Sequence, residues 1–496
     1  MTPKALVVGG HCSRRAALRA TCSLFLGTGG LALLAACGGG SAATTAAPTT
    51  AAPVPVLAKP TTAAAATPAA IAQTTAAAPA APATAGAANG AVKFFARGDD
   101  AIFKVFDQIN GAFHQQNPNT TVTIDKVPGD FHQKLQLELA SGTPPDASFE
   151  CDCTLGPDVQ AGAVAPIDSY LAKEKVSVTA FWPIAFYAST YGAKKWGMPY
   201  DGGSMVIFYN KDLFKAAGVP DLDPKTAASW DDVLMMSRKL SVDFNGKHPG
   251  DSGFDPGKIK QYGLEPSAWA WQVYVWTFGG EVITKDGQVP IDSPEATAGL
   301  QFLADLGAKE YVSPAPQYVQ SSPVSFNTGN VAMAYGGVWD TVRYRENKFG
   351  WDVAPFPKKK NPVSTGWYSP LSLMAGAKNK DAAWQWMYFC TSEPGQKIVS
   401  GLGQDVPTIQ QLAQSDAFLN PKVAPEHKQV FLDQMDASLL RVPGDQYGSY
   451  FGGQVTQFRE AFGKAFDPVW RGKKPAADAA KEVRPQLETV LKAAKF

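Results

Sequence analysis

At 496 residues the chain is too long for one ordinary globular core, so two packed lobes or domains are expected. Its 45% hydrophobic and 18% charged residues are those of a soluble protein. The formal charge of +1 includes Lys4, Arg14, Arg15 and Arg19; without that acid-free leader, 41 Lys and Arg face 44 Asp and Glu, which leaves no basic field for nucleic acid or an anionic membrane.

Residues 1–36 have the pattern of a targeting segment, with basic residues ahead of an apolar run that Gly interrupts. The run is too short for a secure membrane-spanning helix. It ends in Leu34-Ala35-Ala36-Cys37-Gly38, which resembles a bacterial lipobox, and the resemblance implies that the Cys37 thiol receives a diacylglyceryl group. Two acyl chains suffice for lasting anchorage. Upstream, Ser13-Arg14-Arg15-Ala16-Ala17-Leu18-Arg19 resembles a twin-arginine export signal. Arg19 stands for the usual Lys and Ala17 for the usual aromatic, so the Sec route stays open. Residues 37–90 are the lipidated Cys and an Ala/Thr/Pro-rich tether with little apolar surface to offset its ordering entropy.

From residue 91 strand and helix signals alternate. Val92–Ala96 forms a strand, and Ile102, Phe103, Phe106, Ile109 and Phe113 share one helical face over residues 100–116. Val122–Ile124 is a second strand, Phe131–Ala140 a second helix and Asp146–Phe149 a third strand. Such repetition implies a mostly parallel sheet covered by helices.

Several stretches now become specific: Asn117-Pro118-Asn119-Thr120-Thr121-Val122, Ser141-Gly142-Thr143-Pro144-Pro145-Asp146, Trp196-Gly197-Met198-Pro199-Tyr200-Asp201 and Tyr209-Asn210-Lys211-Asp212-Leu213-Phe214. With Ser229-Trp230-Asp231-Asp232, Ala332–Trp339 and Gly401–Thr408 they follow one order over nearly all of residues 91–496. Together they resemble the bacterial extracellular solute-binding family that includes maltose-binding protein. The resemblance implies an α/β, two-lobed periplasmic-binding-protein-like fold (type II) with ligand in the interlobe cleft. It implies lobe one at 91–200 plus 373–425 and lobe two at 201–372 plus 426–496. The crossings would lie near Tyr200-Asp201-Gly202-Gly203 and Gly366-Trp367-Tyr368-Ser369, where paired glycines suit a hinge.

A sugar has apolar C–H faces and a rim of hydroxyls, so its site needs flat aromatics and fixed polar groups. Trp339-Asp340 follows Gly336-Gly337, where the family carries a stacking tryptophan, and Trp367 and Tyr368 sit at the second crossing. Trp269 and Trp271 alternate, so one can face ligand while the other packs as core. Trp384 and Trp386 lie in a helix-like apolar run and pack as core. Arg97 and Asp99 end the first strand and Glu150 and Asp152 the third, where open α/β sheets place ligands. Tyr200 and Asp201 lie at the first crossing, and Gln404 and Asp405 in a loop that the family brings to the cleft. Asp231 and Asp232 suit helix capping better than ligand binding.

Cys151 and Cys153 can chelate, bridge each other or reach Cys390. None of the five histidines stands two to five residues from another, so no cofactor and no His-built metal site are expected. Asp243-Phe244-Asn245-Gly246 fits a turn-rich insertion better than a calcium loop. A surface-anchored carbohydrate-active enzyme is the rival, with Glu150 and Asp152 as acid and base, but the sequence has no G-x-S-x-G, H-E-x-x-H or phosphate loop. Another solute, such as a peptide or glycerol phosphate ester, is a second rival. The expectation is a monomeric, lipid-anchored extracytoplasmic binding protein that catalyses nothing. It passes a small-molecule carbohydrate to the transmembrane permease subunits of an ABC importer.

Overall fold

The computed structural model describes residues 90–284, 286–314, 324–436, 439–441 and 455–493, excepting the side chains of Asp152, Cys153, Ala268, Leu440, Val455 and Thr456. The leader, Cys37 and the tether lie outside the described residues.

Strand β1 (Gly90–Arg97) leads through a helix at Asp100–Gln116 to β2 (Thr120–Val127), and a second helix at Phe131–Ala140 leads to β3 (Ala147–Phe149). The first helix buries Ile102, Phe103, Val105, Phe106, Ile109 and Phe113, the face that its 3.6-residue spacing marked. Asp99 caps it, accepting hydrogen bonds from the Ala101 and Ile102 amides at 3.1 and 3.2 Å. Ser229 and Asp232 form a reciprocal capping box at the helix Trp230–Leu240. β1 runs parallel to both β2 and β3.

A small hairpin of β4 (Thr190–Tyr191) and β5 (Lys194–Lys195) precedes β6 (Met198–Asn210), whose 13 residues are all buried. Then come β7 (Val242–Asp243), β8 (Ile259–Glu265), β9 (Val331–Gly337), β10 (Trp351–Ala354), β11 (Ser364–Leu373) and β12 (Leu440–Arg441). The strand order is β2-β1-β3-β11-β6-β9-β8-β7, with β10 on β6 and β12 on β11. The expectation of a mostly parallel sheet is corrected here, because β6 is antiparallel to β9, β10 and β11, and β11 is antiparallel to β3. A strand that leaves one core for the other and the strand that returns must point opposite ways.

Ser204, Gly203, Gly202 and Asp201 face Gly366, Trp367, Tyr368 and Ser369 in turn, so both expected crossings share one ladder. On one side of it Phe94, Phe106, Ile109, Leu371, Trp386 and Ile409 form a core; Trp384 and Trp386 pack there as expected. On the other side a second core joins Met205, Trp230, Tyr274, Leu300, Met333, Phe462 and Leu487. No described helix is long and apolar enough to cross a membrane.

Candidate ligand-binding cleft

A cavity of about 590 Å³ takes its walls from both cores. Arg97 and Phe149 come from the ends of β1 and β3, and Trp269, Trp339 and Phe462 from the other side. Asp201 and Ser369, from the two joining strands, lie between.

Three indoles build an aromatic face. The Trp269 and Trp367 rings are 4.5 Å apart at 60°, and Trp339 lies 6.2 and 6.1 Å from them. Trp269 keeps 44% of its surface exposed, which is unusual for so large an apolar group. Trp271, two residues on, stacks on Phe462 at 3.8 Å and 13°, and both line the same cavity.

Polar groups are fixed before any ligand arrives. The Arg97 guanidinium lies 4.3 Å over the Phe149 ring and donates to the Glu150 carbonyl at 3.2 Å and to Ser369 Oγ at 2.6 Å. The Ser369 amide donates to Asp201 Oδ1 at 3.1 Å. Burial raises the Asp201 carboxyl above its usual range, with Arg97 opposing the rise. Arg343 also lines the cavity, bonding Asp99 at 2.7 Å and gripping Asp340. Burial pushes Asp340 up to about 6 against the pull of Arg343. Asp99 stays below its usual value: burial would raise it, but Arg343 and the two capping amides outweigh that.

Of the expected ligand residues, Arg97, Asp201, Trp269, Trp271, Trp339 and Trp367 line this cavity. Asp99 and Asp340 stand behind Arg343. Tyr200, Tyr368, Glu150, Gln404 and Asp405 do not line it, and all five are buried at 0–1% exposure. Alternation along a strand explains the tyrosines: Asp201 and Ser369 face the cavity, so Tyr200 and Tyr368 beside them face inward. Glu150 turns its carboxylate toward Thr154 Oγ1 at 3.2 Å, and Gln404 accepts from the Tyr200 hydroxyl at 3.3 Å. The Asp152 side chain lies outside the described residues.

Phe458, Phe462 and Trp470 of the helix Val455–Trp470 complete the cavity with Gln272. Helical spacing marks these aromatics as one apolar face, and only tertiary packing shows that part of it meets the cleft. Cys151, at the cavity edge, is disulfide-bonded, whereas Cys390 is a buried free thiol, so the possible bridge to Cys390 is not made.

Among the described residues one group has metal-ligand character, Asp352, Glu426 and His427, away from the cavity. His427 Nδ1 is already 2.6 Å from Asp352 Oδ2, and Lys428 and Arg345 lie close by. The suggested calcium-like stretch is a closed turn, in which the Asn245, Lys247 and Asp255 amides donate to the Asp243 carboxylate at 2.8–2.9 Å.

The model of the family described as bacterial extracellular solute-binding protein matches residues 98–397, and the chain belongs to that family. A binding protein of Brucella abortus (strain 2308) is 25% identical over 329 residues, 64% of this chain and 75% of that protein. A maltotriose-binding protein of Pyrococcus abyssi is 24% identical over 323 residues, 63% of this chain and 64% of that protein. Among solved structures, an ABC substrate-binding protein of Listeria monocytogenes in complex with cycloalternan superposes with TM-score 0.71. It is 20% identical, and the match covers 82% of this chain and 99% of that one. The fold is that of type II periplasmic binding proteins.

Proposed function

We propose that this chain is the substrate-binding lipoprotein of an ABC importer, capturing an oligosaccharide between its lobes and delivering it to a membrane permease. The lobes are 91–200 plus 373–425 and 201–372 plus 426–496, and Cys37 holds the monomer to the outer face of the cytoplasmic membrane through the tether. The observation that carries the carbohydrate reading is the cavity-lining Trp269–Trp339–Trp367 face beside fixed polar groups. Indoles cover the C–H faces of a sugar while Arg97, Asp201 and Gln272 meet its hydroxyls. The maltotriose-binding relative supports the same class. Binding shifts the lobes toward a closed form, and no bond is made or broken.

Arg97, Arg343 and Arg459 all line the cavity, which favours an anionic solute such as a glycerol phosphate ester as the second reading. A thermal-shift screen of residues 91–496 against mono- and oligosaccharides, glycerol phosphate esters and peptides separates the two. A dose-dependent rise with an oligosaccharide that is recovered intact supports the first, by linkage. A rise with phosphate esters alone refutes it, and cleavage of the sugar would mean an enzyme.

A further inference from the structure

Behind the cavity floor two carboxyls meet where one charge is expected. Asp405 is fully buried, and the neutral Gln404 side chain beside it donates to it. Its side chain is also hydrogen-bonded to that of Asp201, which lines the cavity and is 8% exposed. Two carboxylates cannot bond each other unless one carries a proton. Asp201 has the Ser369 amide at 3.1 Å, and Ser369 Oγ in turn accepts from Arg97, so Asp201 is the better-stabilised anion. The proton therefore belongs to Asp405.

The groups facing the pair are Arg97 from β1, Tyr200 beside Asp201 on β6, Ser369 on β11 and Gln404 beside Asp405. Arg97 is the one cation among them.

We infer that Asp405 is a positioning residue for ligand capture: as a neutral acid it donates to Asp201 and fixes that carboxylate at the cavity floor, so the cleft binds while the pair keeps its proton. The inference rests on the proposal that this cleft is the ligand site. Loss of the proton would set two negative charges side by side against the β6–β11 ladder, turning Asp201 away from Ser369 and loosening the floor. Burial, with the Asp201 charge adding to it, raises Asp405 well above its ordinary value, which places that loss on the alkaline side.

Asp405→Asn keeps a donor of the same shape and cannot ionise; Asp405→Leu removes the donor. In infrared difference spectra of ligand-free protein at neutral pH, wild type minus D405N should show a protonated-carboxyl band that disappears in alkali. No such band would overturn the inference whatever the ligand proves to be. With maltotriose as probe, the wild-type Kd should rise about tenfold or more between about pH 6 and about pH 10. D405N should bind like wild type at the acid end and stay flat, while D405L binds weakly throughout. A D405N profile that follows wild type, or a folded D405L with wild-type affinity, would overturn it too. If maltotriose binds none of the three, the sugar proposal has failed and the infrared arm alone decides.

Discussion

Gly202 stands opposite Tyr368 in the ladder that joins the two cores. A Cβ there would lie 2.2 Å from Tyr368 Cδ1, 2.7 Å from Cε1 and 2.8 Å from Cγ, where ordinary contact begins at 3.4 Å. Its φ of +155° is a further obstacle, a value that L side chains rarely adopt. The ring cannot swing away, because it is 1% exposed and packed with Val206, Val338 and Val406. Gly202→Ala must therefore push ring or backbone by more than an ångström, and overpacking of this kind costs about 1–3 kcal/mol. Urea unfolding followed by tryptophan fluorescence should show a lower midpoint with an unchanged slope. A double-mutant cycle isolates the cause. Tyr368→Ala alone should cost about 3–5 kcal/mol, and adding Gly202→Ala to it should cost little more, a coupling of about 1–3 kcal/mol. An unchanged midpoint for Gly202→Ala, or strict additivity in the cycle, would refute the clash.

Trp339→Ala removes one of the three indoles of the aromatic face and should weaken sugar binding by about 1.5–3 kcal/mol, one to two decades in Kd by calorimetry, with only a small fall in Tm. Arg343→Ala unties Asp99 from Asp340; the network is partly exposed, so a loss of about 1 kcal/mol at most is expected. Small-angle scattering of the ligand-free protein should then show expansion if that tie holds the lobes together, and an unchanged radius would count against it. Asp158 titrates near about 8 in the fold, raised from 3.8 by burial and by the Glu150 charge. The fold binds this proton more tightly than the unfolded chain, so stability falls as pH rises from about 4 through about 8. Asp158→Asn should abolish that fall, leaving the mutant the more stable at about pH 9; a Tm difference that stays constant with pH would dispose of the assignment.

Much of the fold was legible because it rests on local chemistry. The bounds of the helix Phe131–Ala140 follow from spacing, and the Ser229–Asp232 capping box needs only four consecutive residues. The two crossings near Tyr200–Gly203 and Gly366–Ser369 were placed by resemblance, and that they pair as neighbouring strands β6 and β11 came only from the fold. The cleft was partly legible: Arg97, Asp201, Trp269, Trp271, Trp339 and Trp367 fall on its wall because strand ends and Gly-flanked loops put them there.

Period and propensity define the faces of an element but do not say which face meets the cleft. Neighbouring residues on the ladder were therefore sorted only by packing, Tyr368 inward and Ser369 toward the cavity. Phe462 looked like any residue of a helical apolar stripe until Trp271 came to lie flat against it. Asp405 is the sharpest case, a charged residue in a Gly-rich loop that local chemistry places in water. Only the return of the chain beside β6 buries it against Asp201 and takes away its solvent, because desolvation depends on every neighbour in space and on none in sequence.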